Sequence, residues 1–400
     1  MSNNDRIMDT GLRGVKVART RISHVDGEAG KLIYRGFLIT DLAESATYEE
    51  VAHLLLYEKL PDSRQLSAFN GLLGRHRGLN PDVIAAMGKI PRRSHPMDVL
   101  QAVIPLLAAD DSADGTMSVE NGLRSGLRLV AALPTIVAAW HRIRSGQSPI
   151  SPDPALSHAA NFLYMLTGQR QDAETARLFD ICLVLHAEHS FNASTFSARQ
   201  VASTRAHMYA AVSAAVGSLS GELHGGANSR VMQMLLDIGS VEAIDAYIRN
   251  VLESGGKIMG LGHAVYKTGD PRATILSAMS RRLGEISGNT VWYEMTVALE
   301  QKGKAAFKEK KGLVIYPNVD FYSASVYYYM GIPIDLFTPV FAISRVAGWA
   351  AHVIEEQFGG AGSKPALYRP SAEYVGEYCG PAECSFIPIG KRSSQDPPHA

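Results

Sequence analysis

Three polar segments interrupt apolar surroundings, and each one holds a residue that could take part in proton transfer. The first places His224 among glycines, the second has His263 directly after Gly-Leu-Gly, and the third sets Asp320 between apolar and aromatic residues. A histidine with glycine neighbours has little side-chain cover, so its ring can approach a ligand closely. A carboxyl group with apolar neighbours tends to have a raised pKa, which makes it a usable general base.

Each segment taken singly also has a structural explanation. A histidine is more often a core or surface residue than a catalytic one, and Asp320 could simply cap the helix that follows it. The combination is more informative, because two histidines with open rings and one such carboxylate form an acid–base set. We therefore interpret His224, His263 and Asp320 as candidate catalytic residues.

Arginines in apolar or helical surroundings indicate an anionic ligand. Arg345 lies in residues 340–349, a stretch that is apolar nearly all round. A buried guanidinium must find an anion, which is either a carboxylate of the chain, such as Asp335, or a carboxylate of a ligand. Arg272 and Arg369 are further candidates, although either could be an ordinary surface residue. Several arginines and histidines near an acid–base set suit a small ligand with several carboxylates.

The spacing of other histidines and glycines argues against a metal site or a dinucleotide site. His186 and His189 end an apolar stretch with two residues between them, whereas metalloprotease patterns place three residues between their histidines. After Gly260 and Gly262, Val265 stands where a dinucleotide fingerprint needs a third glycine. We predict no metal and no dinucleotide cofactor.

The composition is that of a globular protein. The 400 residues are 46% apolar and 20% charged, and lysine plus arginine equals aspartate plus glutamate at 39 each. A dedicated nucleic-acid binder normally carries a basic excess, and the chain has none, so we expect no nucleic-acid partner. Three cysteines are too few for a disulfide framework, and residues 1–30 have no apolar signal-peptide core. The longest apolar stretch, residues 129–140, is shorter than the roughly 20 residues that span a bilayer. We expect a cytoplasmic protein without a membrane partner.

Helical signals dominate the chain, so we predict a mainly α fold. Thr47 to Glu50 is a capping box, and Thr338-Pro339 resembles a helix start. Residues 205–220 are mostly Ala, Ser and Gly, which favours a buried helix pair or a subunit contact. Strand patterns are few, and residues 312–317 are either a short strand or a buried extended segment. Dense glycines over residues 217–269 indicate a second, smaller domain.

In combination these residues resemble the citrate synthase family, which includes the 2-methylcitrate synthases. The likeness begins at residues 22–27 and 34–36, continues through residues 186–195 and the three polar segments, and ends at residues 374–376. It implies a mostly helical homodimer of two-domain subunits, with the active site between a large domain and a small mobile domain. The large domain would comprise residues 1–224 and 323–400, and the small domain residues 225–322.

The resemblance also implies a reaction and roles for the three candidate residues. Asp320 would remove a proton from the methyl group of acetyl-CoA while His224 hydrogen-bonds the thioester oxygen. His263 would donate to the carbonyl of oxaloacetate as the new carbon–carbon bond forms. Hydrolysis of citryl-CoA would then release citrate and CoA, so the CoA thioester is a substrate and no cofactor is needed.

Further residues match the family's ligand contacts by position. His189, Arg272 and Arg345 match oxaloacetate contacts, Arg369 matches one that reaches the partner subunit's active site, and Arg77 resembles another ligand-contacting arginine. The segment whose backbone holds CoA matches Lys257, Ile258, Met259, Gly260 and Leu261. The chain departs from common family patterns at Ser190, Ala264 and Ser371, none of which is a catalytic position.

Three alternatives stay open from the sequence. A 2-methylcitrate synthase would prefer propionyl-CoA as the donor. One methylene in a pocket changes binding by only about 1 to 3 kcal/mol, so we expect the enzyme to use both donors. Citryl-CoA lyase activity is a further option within the same chemistry. An all-helical interaction protein fits the small-residue helix, but it does not explain an arginine in an apolar helix or histidines bracketed by glycines.

Overall fold

A computed structural model describes residues 11–12, 14–111, 116–263, 265–362, 364–375 and 388–391. Its contacts divide the chain into two compact units, Met1–Ala366 and Leu367–Ala400. In the second unit the described residues are mostly without regular structure, apart from the short 3₁₀ helix Ile389–Lys391.

The described residues form sixteen α-helices and one small sheet, which confirms the mainly α prediction. The helices are α1 Ile39–Ser45, α2 Tyr48–Tyr57, α3 Ser63–His76, α4 Pro81–Gly88, α5 Pro96–Val103, α6 Val119–Arg144, α7 His158–Thr167, α8 Ala173–His186, α9 Ala193–Ser203, α10 Met208–Leu219, α11 Ala227–Ile238, α12 Ile244–Glu253, α13 Pro271–Ser287, α14 Val291–Lys311, α15 Val319–Tyr329 and α16 Phe337–Phe358. Two more 3₁₀ helices, Ile104–Asp110 and Ile334–Leu336, precede α6 and α16.

The sheet lies near the start of the chain and was not predicted as such. Its three antiparallel strands are β1 Ser23–Asp26, β2 Lys31–Tyr34 and β3 Phe37–Leu38, in that order. Ser23 pairs with Tyr34 across the first ladder, and Ile33 pairs with Leu38 across the second. Strands this short have weak periodicity, so their pattern is hard to recognise in the sequence.

The local helix signals had mixed outcomes. The capping box at α2 is confirmed, because Thr47 accepts from the backbone N–H of Glu50 and the Glu50 carboxylate accepts from the N–H of Thr47 at 2.8 Å. The helix predicted from Thr338-Pro339 is present, but Thr338 is not its cap, since α16 begins at Phe337 directly after a 3₁₀ turn. Pro339 is tolerated there because the first-turn N–H groups have no partner within the helix.

The segment before α15 is not a regular strand. Leu313 and Val314 are 51% and 62% exposed, whereas Ile315 is half-buried and Pro317 is buried, so the strand alternative is wrong and the buried alternative holds only for the end of residues 312–317. Its single bridge pairs Pro317 with Leu261, and the carbonyl of Tyr316 accepts from the N–H of Gly262 at 2.8 Å. The segment therefore joins the His263 loop to the start of α15.

The core is built around the two long apolar helices. α16 packs against α6, α9, α2 and α8, and Trp140 and Trp349 are fully buried in the core. Val119–Arg144 and Ile334–Phe358 have the length and composition of membrane spans, but 78% and 89% of their apolar windows are buried inside the molecule. Core helices of soluble proteins commonly have these properties.

The predicted small domain, residues 225–322, contributes α11 to α14. These helices pack on one another and on α15, which continues across the predicted boundary at residues 322 and 323. The compact unit Met1–Ala366 contains all of them together with most of the predicted large domain. The division into a large and a small domain stays a prediction.

Candidate active site

A cavity of about 700 Å³ brings together six of the residues predicted from the sequence. His189, His224, His263, Arg272, Asp320 and Arg345 all line it. They come from the α8–α9 and α10–α11 connections, the loop before α13, the first turns of α13 and α15, and the middle of α16. The fold thus assembles one polar site from residues that are far apart in the chain.

His224 is held by the start of α9. Its Nε2 accepts from the backbone N–H of Ser194 at 3.1 Å and lies 2.7 Å from the Ser194 hydroxyl. A backbone N–H can only donate, so Nε2 is unprotonated and the proton of the neutral ring is on Nδ1. Burial, together with the charge of Arg345, lowers the pKa of His224 to about 4. The ring is therefore neutral at pH 7 and offers an Nδ1–H donor.

The glycine after His224 is required by the packing of the loop. A Cβ on Gly225 would lie 1.9 Å from the carbonyl oxygen of Leu219, the last residue of α10. The chain can therefore turn back against α10 only with glycine at this position. That turn places His224 between α10 and α11.

His263 is held through the opposite ring nitrogen. Its Nδ1 accepts from the backbone N–H groups of Val265 at 2.9 Å and Tyr266 at 3.1 Å. The proton of the neutral ring is therefore on Nε2. Burial, together with the charge of Arg272, lowers the pKa of His263 to about 4. His263 is thus also a neutral donor near pH 7, but through Nε2.

Asp320 lies in the first turn of α15 and does not cap that helix. The cap is Asn318, whose Oδ1 accepts from the Asp320 N–H at 3.0 Å, while its Nδ2 donates to the carbonyl of Gly262 at 3.0 Å. Burial raises the pKa of Asp320 to about 6, against the opposing charges of Arg272 and Arg345. This carboxylate is ionised at pH 7 and basic enough to accept a proton.

Arg345 has no carboxylate partner among the described residues. Its Nε donates to the carbonyl of His186 at 2.6 Å, and its guanidinium carbon lies 4.5 Å from the ring centroid of Phe341. Asp335, the alternative partner, is paired with Arg144 instead. Burial lowers the pKa of Arg345 only to about 10, so the group stays charged. This leaves a buried cation lining the cavity, which suits an anionic ligand.

Arg272 is oriented by an aspartate that the sequence reasoning missed. Asp270 caps α13, and its two oxygens accept from Nε at 3.0 Å and Nη2 at 2.8 Å of Arg272. Burial opposes the charge of Arg272, but the Asp270 carboxylate raises its pKa overall. The Asp-Pro-Arg sequence could have revealed this pair, because an aspartate followed by proline marks a helix start.

His189 completes this side of the cavity. Its Nε2 lies 3.3 Å from the Tyr266 hydroxyl, and its ring meets the His263 ring edge-on with centroids 5.6 Å apart. Burial and the nearby arginines, Arg272 first, hold the pKa of His189 well below its usual value. Tyr266 therefore links the two histidines through its hydroxyl and its backbone N–H.

The family model described as "Citrate synthase, C-terminal domain" matches residues 11–371. The chain belongs to the citrate synthase family. It is an enzyme of the citrate synthase type, a transferase, and not a helical interaction protein.

Relatives and a solved structure of the citrate synthase family align over nearly the whole chain. The citrate synthase of Haloferax volcanii is 45% identical over 96% of this chain and 98% of its own. The 2-methylcitrate synthase of Shewanella oneidensis is 40% identical over 98% and 100%. A citrate synthase from Thermoplasma acidophilum, solved as a ternary complex with carboxymethyl coenzyme A and oxaloacetate, superposes with a TM-score of 0.87 at 30% identity, covering 96% of this chain and 100% of its own.

Arg77, predicted as a ligand contact of the citrate synthase type, does not line the cavity. It is 4% exposed, and its Nη1 donates to the carbonyls of Asp153 at 3.1 Å and Leu156 at 2.8 Å. Two carbonyl acceptors satisfy this nitrogen, so the side chain supports the loop before α7. The sequence pattern could not distinguish this role from ligand binding.

The predicted CoA segment, residues 257–261, lies beside the cavity and does not line it. Ile258 is 2% exposed, and the carbonyl of Gly260 accepts from the Asn318 N–H at 2.9 Å. The neighbouring Gly262 does line the cavity. The role of residues 257–261 in binding CoA, which the citrate synthase resemblance suggests, stays a prediction.

Arg369 belongs to the unit Leu367–Ala400, which is described separately from the unit that holds the cavity, so its predicted role is untested. Ala264, and Gly376 of the segment 374–376, lie outside the described residues.

Within the described ranges no cluster of His, Cys, Asp and Glu could hold a metal ion. The His186 Nδ1 is paired with the carbonyl of Cys182 at 2.8 Å.

Proposed function

We propose that this enzyme condenses acetyl-CoA with oxaloacetate and water to give citrate and CoA. The proposal rests on one observation above all. Two neutral histidines, held through opposite ring nitrogens, share a cavity with a carboxylate of raised pKa and with Arg272 and Arg345. This set combines a base, two hydrogen-bond donors and two cations, which is what the condensation of an enolate with a dicarboxylate needs.

In the first step Asp320 takes a proton from the methyl group of acetyl-CoA. Nδ1–H of His224 donates to the thioester oxygen, on which negative charge develops as the enolate forms. General base catalysis typically contributes about 10² to 10⁴ in rate, and a positioned oxyanion donor about 2.7 to 4 kcal/mol. Neither group alone would make so weak a carbon acid reactive.

In the second step the enolate carbon attacks the ketone carbon of oxaloacetate. The new carbon–carbon bond forms as the ketone π electrons move to oxygen, which receives the proton from Nε2 of His263. Arg345, Arg272 and His189 bind the oxaloacetate carboxylates. Water then cleaves the citryl-CoA thioester, which releases citrate and the CoA thiol. Proton exchange with water returns Asp320 to the carboxylate and His263 to the neutral ring.

We also propose that the working form is a cytoplasmic homodimer without a cofactor, in which Arg369 reaches the active site of the partner subunit. The family resemblance supports this arrangement. Complementation tests it, because an inactive Asp320→Asn protein mixed with an inactive Arg369→Ala protein should regain activity as subunits exchange. Absence of recovery in verified mixed dimers would place Arg369 outside the partner's site.

Propionyl-CoA is the second candidate donor, which would make 2-methylcitrate the product. The 40% identity to the Shewanella oneidensis 2-methylcitrate synthase favours testing it. A single extra methylene changes transition-state binding by only about 1 to 3 kcal/mol, so we expect turnover of both donors and a preference for acetyl-CoA.

Thiol release with oxaloacetate and each acyl-CoA tests the proposal. We expect release with acetyl-CoA, citrate as the product, and a higher kcat/KM for acetyl-CoA than for propionyl-CoA. Asp245→Asn is a matched control, because Asp245 is an exposed carboxylate paired with Lys302. No release by the purified wild-type protein with either donor would contradict the proposal, and cleavage of citryl-CoA without condensation would favour a lyase.

A further inference from the structure

The backbone next to His189 adopts a conformation that its side chain disfavours. Ser190 has a φ of 52°, in the left-handed region where glycine is the favoured residue. Something in the structure must therefore hold Ser190, and with it the position of His189.

The Glu188 carboxylate supplies that hold. Its Oε1 accepts from the Ser190 N–H at 2.5 Å, from the Ser23 hydroxyl at 2.8 Å and from the His352 ring at 3.0 Å. The Ser23 oxygen also accepts from the Ser190 N–H at 3.0 Å. Glu188 is fully buried, so water does not compete for these bonds.

A contact on the far side of the His352 ring sets its tautomer. Nη1 of Arg199 lies 3.0 Å from Nδ1 of His352, and arginine can only donate, so Nδ1 accepts and Nε2 carries the proton toward Glu188. Arg199 is itself fixed by Glu355 at 2.8 Å and Glu356 at 2.6 Å. A buried chain of directed bonds therefore ends on the Glu188 oxygen that holds Ser190.

The small sheet fixes the backbone of the same residue. The Tyr34 hydroxyl, on β2, donates to the carbonyl of Glu188 at 2.8 Å and accepts from its N–H at 3.2 Å. Helix α16 packs against the other oxygen of the Glu188 carboxylate. A Cβ on Gly348 would lie 2.2 Å from that oxygen, so α16 leaves room for the carboxylate only because residue 348 is glycine. Side chain and backbone of Glu188 are both held.

We propose that Glu188 is a positioning residue for the condensation reaction: its carboxylate keeps Ser190 in the left-handed conformation and thereby places the His189 ring in the oxaloacetate site. This inference rests on the proposed function, because it assigns His189 to oxaloacetate. Glu188 does not line the cavity, so it acts through Ser190 and His189 and not by contact with substrate.

Glu188→Gln tests the inference, with Glu49→Gln as the matched control. Glu49 is also a buried carboxylate that accepts from a backbone N–H, that of His158 at 2.7 Å, and like Glu188 it does not line the cavity. Unlike Ser190, however, His158 is not adjacent to a residue that lines the cavity. We expect Glu188→Gln to raise KM for oxaloacetate about tenfold, because it weakens one charge-assisted hydrogen bond. The values of kcat and of KM for acetyl-CoA should change less than about twofold. The control should leave both KM values unchanged.

Ser190→Gly provides the rescue. Glycine adopts the left-handed conformation without being held, so Ser190→Gly alone should be near neutral, and in the Glu188→Gln background it should restore most of the lost oxaloacetate affinity. A purely structural role for Glu188 would lower Tm without changing KM, and glycine would not rescue it. Either of those results overturns the inference.

Ser23→Ala covers the case in which Glu188→Gln does not fold. It removes one bond to Glu188 and one to Ser190, so KM for oxaloacetate should rise in the same direction but less. The rise in Tm caused by oxaloacetate should shrink in parallel. An active wild-type enzyme whose oxaloacetate KM is unaffected by both substitutions contradicts this inference alone, whereas an inactive wild type contradicts the proposed function.

Discussion

The cavity combines two regions in which burial has different consequences. In the arginine region, Arg272 stays charged because the Asp270 carboxylate raises its pKa, and Arg345 stays charged because burial lowers its pKa only to about 10. In the histidine–aspartate region, burial brings His224 and His263 to a pKa of about 4 and Asp320 to about 6. Desolvation thus leaves permanent cations for binding in one region, and in the other it yields neutral donors and a basic carboxylate for proton transfer.

The two regions are also held by different kinds of contact. In the arginine region, Asp270 and the carbonyl of His186 orient the guanidinium groups from the acceptor side. In the histidine–aspartate region, backbone N–H groups fix the histidine rings from the donor side. The comparison predicts that changes in the arginine region act mainly on KM for oxaloacetate, and changes in the other region mainly on kcat.

Asp320→Asn should have the largest effect. We expect kcat to fall about 10² to 10⁴-fold, the usual contribution of a general base, with a small change in KM. A fall in kcat of less than tenfold would show that Asp320 is not the general base.

The stability of Asp320→Asn separates lost chemistry from lost folding. Burial raises the pKa of Asp320 from its ordinary 3.8 to about 6, so the folded state favours the protonated carboxyl. That stabilisation is complete below pH 3.8 and is lost as pH rises through 6. Asparagine stays neutral, so Tm at pH 8 should be no lower than that of the wild type.

His224→Ala should be next in size. Removing one oxyanion donor costs about 10² to 10³ in kcat, while the oxaloacetate site is left intact. Steady-state kinetics with both substrates checks this. A large rise in KM for oxaloacetate with kcat unchanged would move His224 into the arginine region.

Arg345→Lys should act mainly on KM for oxaloacetate and not on kcat. Lysine keeps the charge but cannot bond the carbonyl of His186 and a carboxylate with one planar group, so kcat/KM for oxaloacetate should fall about 10- to 100-fold, mainly through KM. Arg281→Lys, at an exposed arginine paired with Glu285, is the control. An equal fall in kcat would break the comparison.

The pH profile should show a single acidic limb. Asp320 acts when ionised and has a pKa of about 6, so kcat/KM should fall about tenfold per pH unit well below 6. The two histidines, with pKa values of about 4, should add no limb between pH 5 and 8. A second limb near 6.5 that disappears in His224→Ala would show that this histidine titrates during catalysis.

Ser194→Ala should have the smallest effect. The backbone N–H of Ser194 still donates to Nε2 of His224, so the proton stays on Nδ1 and kcat should fall less than about tenfold. A fall in kcat as large as that of His224→Ala would show that the Ser194 hydroxyl, and not the backbone N–H, fixes the tautomer of His224.

Much of the site could be predicted from the sequence because its signals are local. Glycine on either side of His224 and apolar neighbours around Asp320 are visible within a few residues. The Arg345 stretch is equally plain, and so is the capping box at Thr47, because a cap involves residues only three positions apart. The order of these motifs then indicated the family and its mainly helical fold.

Only the tertiary structure decided which atoms of those residues are used. The tautomers of His224 and His263 depend on backbone groups that fold against them. Ser190 is held by its near neighbour Glu188, but that carboxylate is fixed by Ser23 and His352, which are distant in the chain. Arg77 shows the converse, since its pattern predicted a ligand contact and its carbonyl partners lie in another loop. Residue types and short-range order are properties of the sequence, whereas hydrogen-bond partners across long separations exist only once the chain has packed.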